Sequence, residues 1–379
     1  MATQTQAEPQ VTLAKFALYF FKLGCIGFGG PIALVGYMQK DLVEERKWIS
    51  QEDYLNGLAF SQLAPGPLAA QLAMYLGFVR AGFIGATIVA AAFILPSFLM
   101  VVAIGKAYLA FGGTKVISAL FYGIGAAVIA IIARSAMKLV KTSVKKDKLL
   151  WAVFLVLAIS TAVTEREIVW LFLAAGLLVM FTRTDFSAWQ RQRAIPSFVP
   201  FGLGVLGPTA SLFVFFLKSS LFVFGSGLAI VPFLHGGVVL EHHWLTEAQF
   251  LDAVAVAMIT PGPVVITVAF IGYLVAGFPG ACAAGLGVFL PVYLFVVFVG
   301  PFYKRFAQNA QVRAFVQGVT AAATGAIAGA AFVLAKHSIR DLWTVSIALA
   351  TFLVLMKWKV PEPVIIAAAG LLGLAIQLR

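Results

Sequence analysis

The sequence predicts an all-α integral membrane protein, built of two homologous multi-helix units in inverted topology with broken helices at the midplane. Composition, an internal repeat and paired Gly-Pro interruptions carry that reading. Of 379 residues, 61% are hydrophobic and 11% charged, against about 45–50% and about 25% in soluble domains. So few charges cannot cover the surface of a 40.4 kDa globular protein. The 35 glycines and 34 phenylalanines suit bundled membrane helices, where small residues let backbones approach and aromatics mark interfaces.

The net charge of +12 is not spread as a nucleic-acid footprint. Lys138, Lys141, Lys145, Lys146 and Lys148 crowd between two apolar runs, and Arg183, Arg191 and Arg193 follow another. Short basic loops beside spanning segments read as cytoplasmic loops facing anionic lipid. The bilayer is the expected partner, and nucleic acid is not. Residues 1–10 are polar without a basic start, so the first apolar segment is expected to stay as a span. Cys25 and Cys282 stand apart in apolar stretches and suggest neither disulfide nor metal.

The repeat holds one register. At an offset of 196, Lys22 meets Lys218, Phe28-Gly29-Gly30-Pro31 meets Phe224-Gly225-Ser226-Gly227, and Trp48 meets Trp244. Pro65-Gly66-Pro67 meets Pro261-Gly262-Pro263 in the same register; at 195, Ala81-Gly82-Phe83 meets Ala276-Gly277-Phe278 and Pro96 meets Pro291. The expected division is a first unit over 1–182, a basic cytoplasmic-side linker over 183–206 and a second unit over 207–379. Apolar segments lie near 12–38, 53–79, 82–105, 116–137, 149–163 and 167–182, then near 209–234, 247–276, 279–302, 313–335, 342–356 and 363–378. Basic loops follow the fourth and sixth segments of the first unit but the third and fifth of the second. That change of parity favours inverted repeats. Six crossings per unit would leave the copies parallel. Either a broken segment turns back, or residues around 195–208 help to cross; the sequence leaves this open.

The breaks are where chemistry is expected. Proline removes an N–H and pushes the preceding residue from helical angles, yet suits the first turn of a helix. Pro31 and Pro67 therefore read as starts of half-helices. Broken backbone at membrane depth survives only inside protein or beside water, and a helix start aims donors and partial positive charge at an anion. A plain proline kink is the competing reading for any single break. The expected substrate contacts are Lys22, Gly29, Gly30, Pro31, Gln62, Pro65, Gly66 and Pro67, with Lys218, Gly225, Ser226, Gly227, Thr260, Pro261, Gly262 and Pro263 in the second unit. Ser61, Gln71 and Thr267 stand beside the breaks, although serine and threonine also bond backbone carbonyls in membrane helices. Lys22 and Lys218 lie in apolar stretches, where an ammonium costs about 2.5–3.5 kcal/mol unless it meets water or a partner; snorkelling is the alternative. Arg80 and Arg134 read as topological. Asp252, with Asn56 as its repeat equivalent, is a candidate for proton coupling or an interfacial carboxylate. Hydrolase, zincin and P-loop signatures are missing, so neither enzyme activity nor a cofactor is expected.

These motifs resemble the chromate ion transporter family in its long, two-domain form. The residues that carry the resemblance are Phe28-Gly29-Gly30-Pro31, the Trp48 connector, Gln62-Leu63-Ala64-Pro65-Gly66-Pro67, and their second-half counterparts Phe224-Gly225-Ser226-Gly227 and Thr260-Pro261-Gly262-Pro263. The second copy lacks the proline after its FG break. The resemblance implies a multi-pass protein of the bacterial inner membrane that exports chromate, with sulfate as the chemical analogue; the sequence is silent on oligomeric state, and a homodimer is one assembly it allows. Sulfate or other oxyanion uptake and an anion channel are the rival functions.

Overall fold

The computed structural model describes residues 11–28, 30–111, 114–165, 168–184, 207–221, 230–303, 309–339, 341–358 and 360–378. Gly29, Gly225, Ser226, Gly227 and residues 185–206 of the expected linker lie outside the described residues.

Helix α1 (Leu13–Ile26) starts at Thr12, whose hydroxyl accepts the Lys15 N–H, and stops at Gly27. Helix α2 (Gly30–Met38) starts at the expected Gly30-Pro31 position. It does not continue across the bundle. After a wider, π-type turn at Gln39–Glu45, the Arg46 guanidinium lies 5.4 Å from the Tyr19 ring centre and 4.8 Å from that of Trp48. Trp48 in turn sits 6.3 Å from Phe16, so the connector has returned to the level at which α1 began. Helix α3 (Gln51–Leu63) makes the second inward limb, capped by Ser50 Oγ accepting the Asp53 N–H at 3.0 Å. The first limb of α4 (Leu68–Phe111) leads back out, with Gly57 of α3 packed beneath the Tyr75 ring.

At Ala81–Gly82, α4 reverses. Gly82 has φ +57°, a left-handed conformation that costs glycine little. Across the turn, a Cβ on Gly77 would stand 2.5 Å from the Gly85 carbonyl oxygen. The second limb, 83–111, is the first uninterrupted crossing, about 40 Å long at 1.5 Å per residue. Three helices then follow: α5 (Lys115–Leu139), α6 (Lys148–Thr164) and α7 (Val169–Arg183).

The second unit repeats the plan. Helices α8 (Pro208–Ser220), α9 (Ile230–His235) and α10 (Glu247–Ile259) precede α11 (Thr267–Val299), which reverses at Gly277 with φ +60°. Then come α12 (Ala310–Ser338), α13 (Leu342–Lys357) and α14 (Glu362–Gln377). Among the described residues, four stretches are long and apolar enough to cross a membrane: Leu68–Phe111, Lys115–Leu139, Val264–Phe302 and Ala310–Lys336. In the first unit both broken segments fold back, one between α1 and the Trp48 connector and the other between α3 and the first limb of α4.

The long limbs of α4 and α11 pack antiparallel. Phe83 meets Tyr293 at 5.7 Å and Phe98 meets Phe278 at 6.2 Å, and the Thr87 and Tyr293 hydroxyls share a 2.6 Å hydrogen bond. The terminal helix pairs are exchanged: α6 and α7 pack on α12, while α13 and α14 pack on α5. Gly325 and Gly176 of the first contact, and Gly123 of the second, let these helices approach closely. This arrangement brings the ends of α5 and α7 to the same face as the start of α12 and the end of α13. Lys141, Lys145, Lys146, Arg183, Arg313 and Lys357 consequently share one face, although their loops occupy opposite parities in the two units.

Candidate functional site

The breaks of the two units meet. The Gly262 N–H donates to the Gly27 carbonyl at 2.9 Å, joining the second break of one unit to the first break of the other. Gly262 has φ +100° and Gly66 φ +135°, which favour glycine at both Pro-Gly-Pro turns. A methyl on Gly262 would collide with Ser97 Oγ of α4, and one on Gly66 would stand 2.8 Å from Val292 Cγ2 of α11. Ser97 and Val292 are themselves repeat equivalents, so each turn is seated on the long helix of the other unit. Ser97 Oγ also donates to the Gly24 carbonyl at 3.3 Å.

A cavity of about 640 Å³ connects the basic face with this junction. Its deep wall includes Gly30 and Pro31 at the start of α2, Leu68 at the start of α4, and Val264 just before α11. Three chain turns that open helices thus face one space. Its outer wall carries Arg134, Lys138, Lys145 and Arg183, opposed by Asp147 and Glu362. Arg183 is ion-paired to Asp147 and also bonded to Gln317. Four cations against two carboxylates leave an excess of two positive charges in the vestibule. Helix starts and cationic side chains both favour an anion.

Of the expected contacts, Gly30, Pro31 and Gln62 line this cavity. Pro65, Gly66 and Pro67 form the adjoining turn, where Gln71 Nε2 donates to the Pro65 carbonyl at 2.7 Å. Gln71 Oε1 is buried without a partner among the described residues. The Gly262 amide, expected to face the passenger, is instead committed to Gly27. Thr260, Thr267 and Ser61 donate their hydroxyl protons to the carbonyls of Val256, Val264 and Gly57, the backbone-bonding alternative for these residue types. Lys22 and Lys218 stand apart from this cavity. Both are exposed and neither lines the cavity; Lys22 shares its helical face with the exposed Leu18 and Ile26. Arg80 donates to the Val11 carbonyl at 2.6 Å, securing the start of α1.

Sequence reasoning missed the cavity's principal charges. Arg134 read as topological, and Glu362 carried no signal that singled it out. Only the fold brings them together. Asp252, 9% exposed, accepts a 2.6 Å hydrogen bond from the Tyr108 hydroxyl. That bond ties α10 to the far end of α4, away from the basic cavity. Asn56 is half-buried on α3. Among the described residues, no group of three or more His, Cys, Asp or Glu could hold a metal.

Apolar spans enclosing a basic vestibule, floored by re-entrant half-helices, define a multi-pass membrane transport protein. The family described as chromate transporter matches residues 14–180 and again 210–374. The chain belongs to the chromate transporter family. It is 56% identical to the chromate transport protein of Cupriavidus metallidurans, covering 98% of this chain and 95% of that one. Against the probable chromate transport protein of Synechococcus elongatus, identity is 52% over 97% and 96% of the two chains. Against the chromate transport protein of Pseudomonas aeruginosa it is 30% over 98% and 94%. No solved structure matches.

Proposed function

We propose that the protein is a secondary transporter that carries chromate, or a like tetrahedral dianion, out of the bacterial cytoplasm across the inner membrane. The observation that carries this reading is the vestibule, with its excess of two positive charges above three inward-facing helix starts. By the positive-inside rule the face bearing Lys141, Lys145, Lys146, Arg183 and Arg313 is cytoplasmic, so the cavity receives its passenger from inside. Gly30 and Pro31 offer the start of α2, Gln62 adds side-chain hydrogen bonds, and Arg134 and Lys138 hold the charge. The Pro65-Gly66-Pro67 and Pro261-Gly262-Pro263 turns shape the floor. Lys22 and Lys218 act indirectly, through the local potential.

The energetics favour outward movement. Each negative charge leaving a compartment that is negative inside gains about 2.3 kcal/mol per 100 mV, and a dianion gains twice that. The antiparallel packing of α4 and α11 supports inverted repeats, and exchanging the conformations of the two units would open the opposite face. Asp252, held by Tyr108 beyond the closed end of the cavity, is the candidate coupling group. The relatives named as chromate transport proteins support the substrate class.

Everted membrane vesicles test the proposal. Chromate added outside should accumulate within them, and sulfate and molybdate should compete. Accumulation only in right-side-out vesicles would establish uptake instead. Unitary currents without saturation would establish a channel.

A further inference from the structure

Glu362 is not needed to attract an anion; a carboxylate in that wall opposes it. It stands at the first turn of α14, lines the cavity, and lies within the electrostatic reach of Arg134 and Lys138 on α5. Asp147, the other carboxylate, is paired to Arg183. Glu362 therefore sets how much positive charge the deeper part of the vestibule offers. α14 belongs to the second unit but packs on α5 of the first, so the packing between the units holds the residue there.

We propose that Glu362 is the charge-selectivity residue of this vestibule: it trims the excess to two positive charges, and it competes with the passenger for Arg134 and Lys138, so that a doubly charged oxyanion is bound but also let go. The inference rests on the vestibule being the passenger's site. The physics gives it a specific signature. At a fixed distance, a charge acts on a dianion with twice the energy it exerts on a monoanion. Removing the carboxylate should therefore raise dianion affinity by the square of the factor seen for a monoanion of the same shape. A change in cavity size or packing would alter both alike.

The test is equilibrium binding of sulfate and of the tetrahedral monoanion perrhenate to the purified full-length protein, with efflux from preloaded proteoliposomes measured beside it. Glu362→Gln should tighten perrhenate binding about threefold and sulfate about tenfold, while sulfate efflux slows. Glu362→Ala should reproduce the same squared relation, and Glu362→Asp should keep the wild-type ratio. Equal shifts for both anions, or none, in whichever neutral variant folds would overturn the role of Glu362. If the wild type binds neither anion, the vestibule reading itself fails. Sulfate binding that is present but insensitive to Glu362 removes only this inference.

Discussion

The junction between the two Pro-Gly-Pro turns and the opposite long helices makes a quantitative prediction for Gly262→Ala. At φ +100° an alanine costs about 1–2 kcal/mol through backbone strain. Its methyl also collides with Ser97 Oγ and stands 3.1 Å from Ser97 Cβ, an overpacking worth about 1–3 kcal/mol. The single variant should therefore lose about 2–5 kcal/mol, and chromate accumulation in everted vesicles should fall with it. Ser97→Gly alone should cost about 1 kcal/mol, as glycine does in a helix interior. In the double variant the nearest remaining neighbour of the new methyl is the Gly24 carbonyl oxygen at 3.5 Å, an ordinary contact. The overpacking part should then be recovered, giving a favourable coupling of about 1–3 kcal/mol, with the strain part retained. Denaturant unfolding of the four proteins measures the cycle. Gly66→Ala with Val292→Ala forms the mirror experiment in the other unit and should also show coupling. Additivity to within about 0.5 kcal/mol in both cycles would mean that the turns do not rest on the opposite helices.

Arg134→Gln removes a charge-assisted contact worth about 1.5–3 kcal/mol, so chromate accumulation should drop about tenfold or more. Lys22→Met, outside the cavity, should be several times milder; the reverse ranking would return the passenger's site to α1. Asp252→Asn should leave sulfate binding intact but abolish the response of efflux to an imposed proton gradient, and a retained response counts against Asp252 as the coupling group. Asp341, the N-cap of α13, is held below the usual carboxylate range by the Tyr122 hydroxyl and the Thr344 N–H. Its contribution is full above the unfolded-state value of about 3.9 and fades as pH falls through the lower folded value. Asp341→Ala should therefore cost about 1 kcal/mol at neutral pH, and the gap to wild type should narrow below about pH 4. A gap that stays constant with pH would deny the carboxylate that part.

Much of this architecture was legible in the chain. The common register of Trp48 with Trp244, and of Pro65-Gly66-Pro67 with Pro261-Gly262-Pro263, identifies the duplication, and the break at Gly30-Pro31 locates the start of α2. The return of α2 was not legible. A Gly-Pro interruption reads the same whether the chain continues or doubles back, and the decision lies in Arg46 and Trp48 packing against Tyr19 and Phe16. The vestibule escaped for a related reason. Arg134 and Glu362 are 228 positions apart, and each alone resembles the flanking charge of an ordinary membrane helix. That the amide of Gly262 is taken up by the Gly27 carbonyl of the other unit could not be read from the sequence, because the two stand 235 positions apart.

The exchange of the terminal helix pairs makes the genetic half and the mechanical half of this molecule different objects. In the proposed alternation, a body that moves as one piece would take α12 together with α6 and α7, or α5 together with α13 and α14, so each part would be composed from both ends of the gene. Either half synthesised alone would present uncovered helix flanks, and coexpressed halves should recover a working protein only by embracing each other as the intact chain does.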